Sequence, residues 1–264
     1  MIDSPDAPNG ARPTLRARLH AGETLIGVFS DLASPLAVEL CGRAGFDWTV
    51  LDLEHGAATE SDLLALLYAA AATPMAAIVR VPSAERLRVG RALDLGAAGI
   101  MLPQLQSLAE VQDAVRYLRY PPVGQRGVAL RTRGADMGAI GHGELASVVN
   151  QRIVGIVQIE SGTAVSDADA IAGLDEVDVL FVGPADLSHA LGVPGRFDDP
   201  GYLAAIRTVV DATERHGKAA GILLYDAAVL RRHLDLGFRF IGLGSEGSFV
   251  SSGSRAMLQA AGRT

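Results

Sequence analysis

From about residue 24 the chain alternates short apolar, β-branched runs with longer stretches whose apolar positions recur every three to four residues. The runs predict strands at 24–29, 48–53, 76–81, 99–102, 154–159, 177–182, 219–224 and 238–243. Helical patterns follow at 35–44, 60–72, 84–95, 108–118, 161–171, 202–216, 226–236 and 245–261. Strands without polar alternation are expected where both faces of a parallel sheet are covered, and strict βα alternation is the signature of such a sheet. Eight repeats predict an α/β fold, a single (β/α)8 TIM barrel, whose usual size of about 250 residues suits a chain of 264. The alternative is an open doubly wound sheet. That fold normally carries a Gly-rich phosphate turn after its first strand, and Gly27-Val28-Phe29-Ser30-Asp31 is not one. Residues 1–23 read as an N-terminal segment, partly flexible, and residues 24–264 as the barrel domain. The stretch 120–143 is too long for an ordinary connection, and loops of that length are often functional.

Composition narrows the partners. With 49% hydrophobic and 20% charged residues the chain can bury a large core. A net charge of −7 with no basic stripe argues against nucleic acid or an anionic membrane, which leaves small-molecule chemistry. The longest apolar stretch, 63–79, is broken by Pro74 and is shorter than the ~20 residues of a membrane span. The first twenty residues contain no apolar signal region, so a cytoplasmic protein is expected. Cys41 alone permits neither an internal disulfide nor a thiolate zinc cluster, and it reads as a buried core thiol on a helix. The basic residues are 22 Arg and one Lys, Lys218, so a mechanism that needs a lysine amine has one candidate. Lys218 precedes the seventh strand, at the end of a barrel away from its chemistry.

In a barrel of this kind reactive groups stand at the C-terminal ends of strands. The second strand ends Asp52-Leu53-Glu54-His55, the third Val79-Arg80, the fifth Gln158-Ile159-Glu160, and the sixth Gly183-Pro184-Ala185-Asp186. Glu160 and Asp186 lie one βα repeat apart, so their carboxylates would meet on neighbouring strands. Two hard oxygen ligands favour Mg²⁺ or Mn²⁺ over zinc, unless each acid serves only the start of the helix behind it. His55 follows two carboxylates, which favour its imidazolium form and suit a general base. Arg80 at a barrel mouth needs an anion, either a substrate or Asp52 and Glu54.

Together these residues resemble the HpcH/HpaI family of metal-dependent pyruvate aldolases, the 4-hydroxy-2-oxoheptanedioate aldolase type. The resemblance runs from about residue 24 to 250. It also includes Ala44-Gly45-Phe46-Asp47-Trp48 and Tyr120-Pro121-Pro122-Val123-Gly124-Gln125-Arg126-Gly127. It implies reversible aldol cleavage of a 4-hydroxy-2-oxo acid to pyruvate and an aldehyde. By that resemblance Glu160 and Asp186 hold a divalent ion, Mg²⁺, Mn²⁺ or Co²⁺, that chelates pyruvate. Gln158, Gly183, Ala185 and Asp186 complete the pyruvate site, His55 acts as base, and Arg80 stabilises the enolate. The family's acidic partner of the histidine matches Asp94. Asp94 ends a helix just before the fourth strand, so it either serves His55 across a subunit interface or is a helix-end residue. The resemblance further implies a homo-oligomer, commonly a hexamer. The segment 128–143 lacks the aromatic residue often found there in relatives, so the aldehyde is not carried over. Two other functions stand beside this one. One is a related lyase or oxaloacetate decarboxylase using the same enolate chemistry, and the other is a barrel that binds a keto acid without catalysis.

Overall fold

The structure, a computed structural model, describes residues 13–263. Its eight strands are β1 (Leu25–Ser30), β2 (Trp48–Asp52), β3 (Ala76–Arg80), β4 (Gly99–Leu102), β5 (Val154–Ile159), β6 (Val179–Val182), β7 (Ala219–Leu224) and β8 (Phe238–Ser245). They pair in parallel in chain order, and β8 returns to β1, closing the barrel. The closed (β/α)8 arrangement is therefore the observed fold, and the open sheet is excluded.

The two-residue pleat sorts the apolar side chains into two layers. Phe29, Val50, Ile78, Met101, Ile156 and Phe181 fill the barrel interior. Their alternates Val28, Leu51, Val79, Ile100, Val157 and Leu180 face the surrounding helices. In the interior the Trp48 indole stacks on Phe240 at 4.1 Å between ring centroids, with Phe181 edge-on at 6.4 Å. That indole occupies the space beside Gly27, where a Cβ would lie 2.0 Å from it.

The helices are α1 (Leu15–His20), α2 (Pro35–Ala44), α3 (Leu63–Ala71), α4 (Arg86–Asp94), α5 (Leu108–Val115) and α6 (Leu145–Val149), then α7 (Gly162–Ser166), α8 (Ala168–Ala172), α9 (Pro184–Ala190), α10 (Pro200–Arg215), α11 (Leu230–Leu236) and α12 (Glu246–Ala260). The pattern reading assigned no element before residue 24, yet α1 closes the N-terminal end of the barrel with Leu15 and Leu19. It is locked there by the fully buried Asp178 carboxylate, whose Oδ1 accepts from Arg16 Nε and lies 2.9 Å from His20 Nε2. The rest of the expected flexible segment, residues 1–12, lies outside the described residues. The helix expected at 161–171 is observed as two short helices, α7 and α8, that meet at Asp167, whose carboxylate accepts from the Leu108 amide. A further helix, α9, follows β6 directly.

The segment 120–143 packs along α4 and contains a 3₁₀ turn, Arg133–Gly138, with Asp136 and Met137 in the left-handed region. Cys41 is half-buried, its thiol pushed up to about 11 by burial and by the Glu246 charge. Among the described residues no helix is long and apolar enough to cross a membrane.

Candidate active site

The inward stripe of each strand turns polar at the C-terminal end of the barrel. Above Val50 comes Asp52, above Ile78 comes Arg80, and above Ile156 come Gln158 and Glu160. The β2–β3 register sets Asp52 opposite Arg80. Arg80 grips Asp52 with two parallel bonds, Nε to Oδ1 at 2.8 Å and Nη2 to Oδ2 at 2.6 Å. Its Nη1 lies 3.1 Å from Glu54 Oε2, an ion pair without hydrogen-bond geometry, so Glu54 Oε2 stays buried without a donor while two N–H groups hold Asp52. Burial works to raise the Asp52 pKa, but the bonds and charge of Arg80 outweigh it and hold the carboxyl below its usual range. Asp52 Oδ1 also accepts from the amides of Glu54 and His55, which folds the chain into the turn that carries His55. His55 is exposed, its Nε2 at 3.8 Å from Glu54 Oε1, too far for a hydrogen bond. Burial raises the Glu54 pKa, with Arg80 opposing.

Across the mouth, Gln158 Nε2 donates to Glu160 Oε1 at 2.7 Å, and the Gln104 amide approaches Oε2 at 3.4 Å. Glu160 is 8% exposed. Burial, followed by the charges of Asp186 and Glu54, pushes its carboxyl up to about 7. The carboxylate occupies the room left by Gly183, where a Cβ would stand 2.7 Å from Oε1. Gly183 caps α9, Pro184 takes its first position, and the exposed Asp186 sits in its first turn. The Ala185 carbonyl accepts from Ser188 Oγ and lies 2.9 Å from His189 Nδ1.

Among the described residues no three His, Cys, Asp or Glu side chains form a ready ligand set. The pair Glu160 and Asp186 nonetheless suits a hard divalent ion. Such ions are commonly held by one or two carboxylates with water or substrate completing the shell, and a cation there would offset the burial and the carboxylate repulsion that push Glu160 up. Gln158 Oε1, buried and without a partner, adds an unspent oxygen beside them.

Most of the residues singled out from the sequence therefore share one mouth. Asp94 does not. It ends α4 at the opposite end of its own barrel, where Arg126 Nη2 donates to its Oδ1 at 2.9 Å. Lys218 is also at that end and donates to the Leu174 carbonyl at 3.1 Å. The pairing of Arg80 with Asp52 and Glu54 is one of the two partners that the sequence reading offered for that guanidinium. The Gln104 amide, presented by a left-handed residue at φ 57°, had no sequence signal.

Ionisable groups gathered at the strand C-termini of an eight-fold barrel, with a carboxylate pair suited to a cation, define a barrel enzyme. Over residues 25–252 the chain matches the HpcH/HpaI aldolase/citrate lyase family. The chain belongs to that family and is a carbon–carbon lyase. It is 38% identical over 251 residues to a hydroxypyruvate/pyruvate aldolase of Paraburkholderia phytofirmans, covering 93% of this chain and 96% of that one. It is 39% identical over 231 residues to a 5-keto-4-deoxy-D-glucarate aldolase of an Enterobacter species, covering 88% and 90%. A crystal structure of a family protein from Burkholderia cenocepacia superposes with a TM-score of 0.87 at 36% identity, covering 94% of this chain and 98% of that one.

Proposed function

We propose that the protein cleaves a 4-hydroxy-2-oxo acid reversibly to pyruvate and an aldehyde. The observation that carries this is the placement of a carboxylate pair, Glu160 and Asp186, on one barrel mouth with Arg80 and His55. Glu160 and Asp186 would hold Mg²⁺, Mn²⁺ or Co²⁺, which when bound supplies Lewis-acid polarisation of the 2-oxo group. Gln158, with the backbone at Gly183 and Ala185, would seat the carboxylate end of pyruvate beside them. His55 takes the proton of the 4-hydroxyl, directly or through water, as the C3–C4 bond breaks. The bonding pair passes to the pyruvate fragment as its enolate, the aldehyde leaves, and a proton returned to C3 completes pyruvate. Arg80, held in place by the Asp52 fork, would stabilise the negative charge that develops on the enolate.

Asp94 stands at the far end of its own barrel, so in this reading it serves His55 of a neighbouring subunit. Exposed Phe249, Val250, Met257 and Leu258 on α12 and Leu36 and Leu40 on α2 support association of copies. A hexamer in the cytoplasm is the corresponding assembly and place. The names of the relatives support pyruvate or hydroxypyruvate as the keto partner.

The test is pyruvate release from a panel of 4-hydroxy-2-oxo acids with each divalent ion. His55→Ala should lower aldol cleavage by about 10²–10⁴-fold and spare oxaloacetate decarboxylation, which has no hydroxyl proton to remove. Equal losses in the two reactions would refute His55 as the base, and a panel with no pyruvate release would refute the function.

A further inference from the structure

We infer that Arg126 is a positioning residue for the Asp94 carboxylate, and through it for the proton transfer at His55. The inference rests on the reading of Asp94 given above. Its basis is the way Arg126 is built into the fold. The side chain is 1% exposed, whereas that of Asp94 is 29% exposed. Arg126 therefore holds Oδ1 from inside while part of the Asp94 carboxylate faces out of the chain.

Three features immobilise the guanidinium. It lies 4.3 Å over the Tyr120 ring, a cation–π contact in a buried setting. Tyr120 is itself pinned, because its amide donates to Asn150 Oδ1 at 2.8 Å and its carbonyl accepts from Asn150 Nδ2 at 3.2 Å. Gly134 closes over the pair from the 3₁₀ turn, where a Cβ would lie 2.2 Å from the Leu93 carbonyl and 3.0 Å from Arg126 Nη2. A glycine is needed at 134 because the loop backbone comes down onto the helix end that carries Asp94.

An ordinary helix-end ion pair needs none of this. An exposed lysine or arginine would make it, and such pairs contribute little. Here a cation is buried with Nε and Nη1 unpartnered, which is costly by itself. The arrangement makes physical sense if the Asp94 carboxylate must keep its orientation and its charge when a second copy covers it. A fixed countercharge removes the rotational freedom of the short side chain. A misplacement of about 1 Å in such a partner can cost 10²-fold in rate.

The test uses the full-length assembled protein with Arg126→Met, Arg126→Lys and Asp94→Asn. Arg126→Met should lower kcat for aldol cleavage by about 10-fold or more while KM stays within about twofold, the split expected for a misdirected catalytic group. Oxaloacetate decarboxylation measured on the same sample should stay within about twofold, which also shows that the variant is folded and loaded. Arg126→Lys should recover part of the loss, and Arg126→Met should add nothing in the Asp94→Asn background. Equal losses in both reactions, wild-type aldol activity in Arg126→Met, or an undiminished effect on top of Asp94→Asn would overturn the inference. Full aldol activity in Asp94→Asn would instead overturn the reading of Asp94, and the role of Arg126 with it.

Discussion

Without divalent ions at pH 8, Glu160→Gln should make the protein more stable while abolishing its ion-dependent activity. The Glu160 carboxyl, 8% exposed and facing Asp186 and Glu54, titrates at about 7 rather than at 4.5. Between those values the folded chain keeps a proton that the unfolded chain has released. Stability therefore falls as pH rises through that window. The full loss, reached above pH 7, is about 3 kcal/mol at 1.36 kcal/mol per pH unit. Glutamine carries no charge at any of these pH values and still offers Oε1 to Gln158 Nε2, the 2.7 Å bond of the parent. Its advantage should be absent at pH 4.5, grow through neutrality and level off near 3 kcal/mol, about 6–12 °C in Tm for a chain of this size. Glu246, also pushed to about 7 by burial, contributes equally to both proteins and cancels in the difference. Urea unfolding in chelator across pH 5–8.5 measures it. A difference that does not change with pH, or a less stable Gln variant at pH 8, would refute the assignment of Glu160 as a carboxylate awaiting a cation.

Other substitutions probe the frame around the site. Arg80→Met leaves the 3%-exposed Asp52 without its partner and should cost about 3–5 kcal/mol in chemical denaturation, so a loss under 1 kcal/mol would contradict the bidentate pair. Gly27→Ala drives a methyl to 2.0 Å from the Trp48 ring and should cost at least about 1–3 kcal/mol, and a wild-type Tm would contradict the packing. Lys218→Met should retain activity, and borohydride with pyruvate should leave no covalent adduct by mass spectrometry, since this amine lies at the far end of the barrel bonded to the Leu174 carbonyl. An adduct at Lys218 would contradict it.

How far the molecule can be read from its sequence depends on how local each signal is. The strands were legible because both faces are buried, so each appears as an unbroken apolar run whose ends lie within two residues of those observed. The site was legible in part for the same reason, since a run that turns from Val50 to Asp52 or from Ile156 to Gln158 marks the barrel mouth directly. Helix α1 was not, because six residues with two buried leucines show no periodicity, and its role appears only once a barrel end needs closing. The seven-residue α9 has the same problem behind Gly183 and Pro184. Pairings set by loop path left no mark, whereas one set by register was partly legible. Asp94 meets Arg126 across 32 positions because the 120–143 segment folds back on α4, which no local pattern signals, while Asp52, which meets Arg80 across 28 because β2 and β3 align, was one of the anions the strand ends offered for that guanidinium.

The central claim is that cleavage to pyruvate depends on a divalent ion held at Glu160 and Asp186. The most direct measurement is the rate of pyruvate formation from a 4-hydroxy-2-oxo acid that the enzyme accepts, before chelation, after exhaustive chelation, and after Mg²⁺, Mn²⁺ or Co²⁺ is returned. Glu160→Gln is run in parallel. The account predicts that chelation abolishes activity, that an added ion restores it in the wild type, and that no ion restores it in the variant. Activity that survives both chelation and the substitution would contradict it.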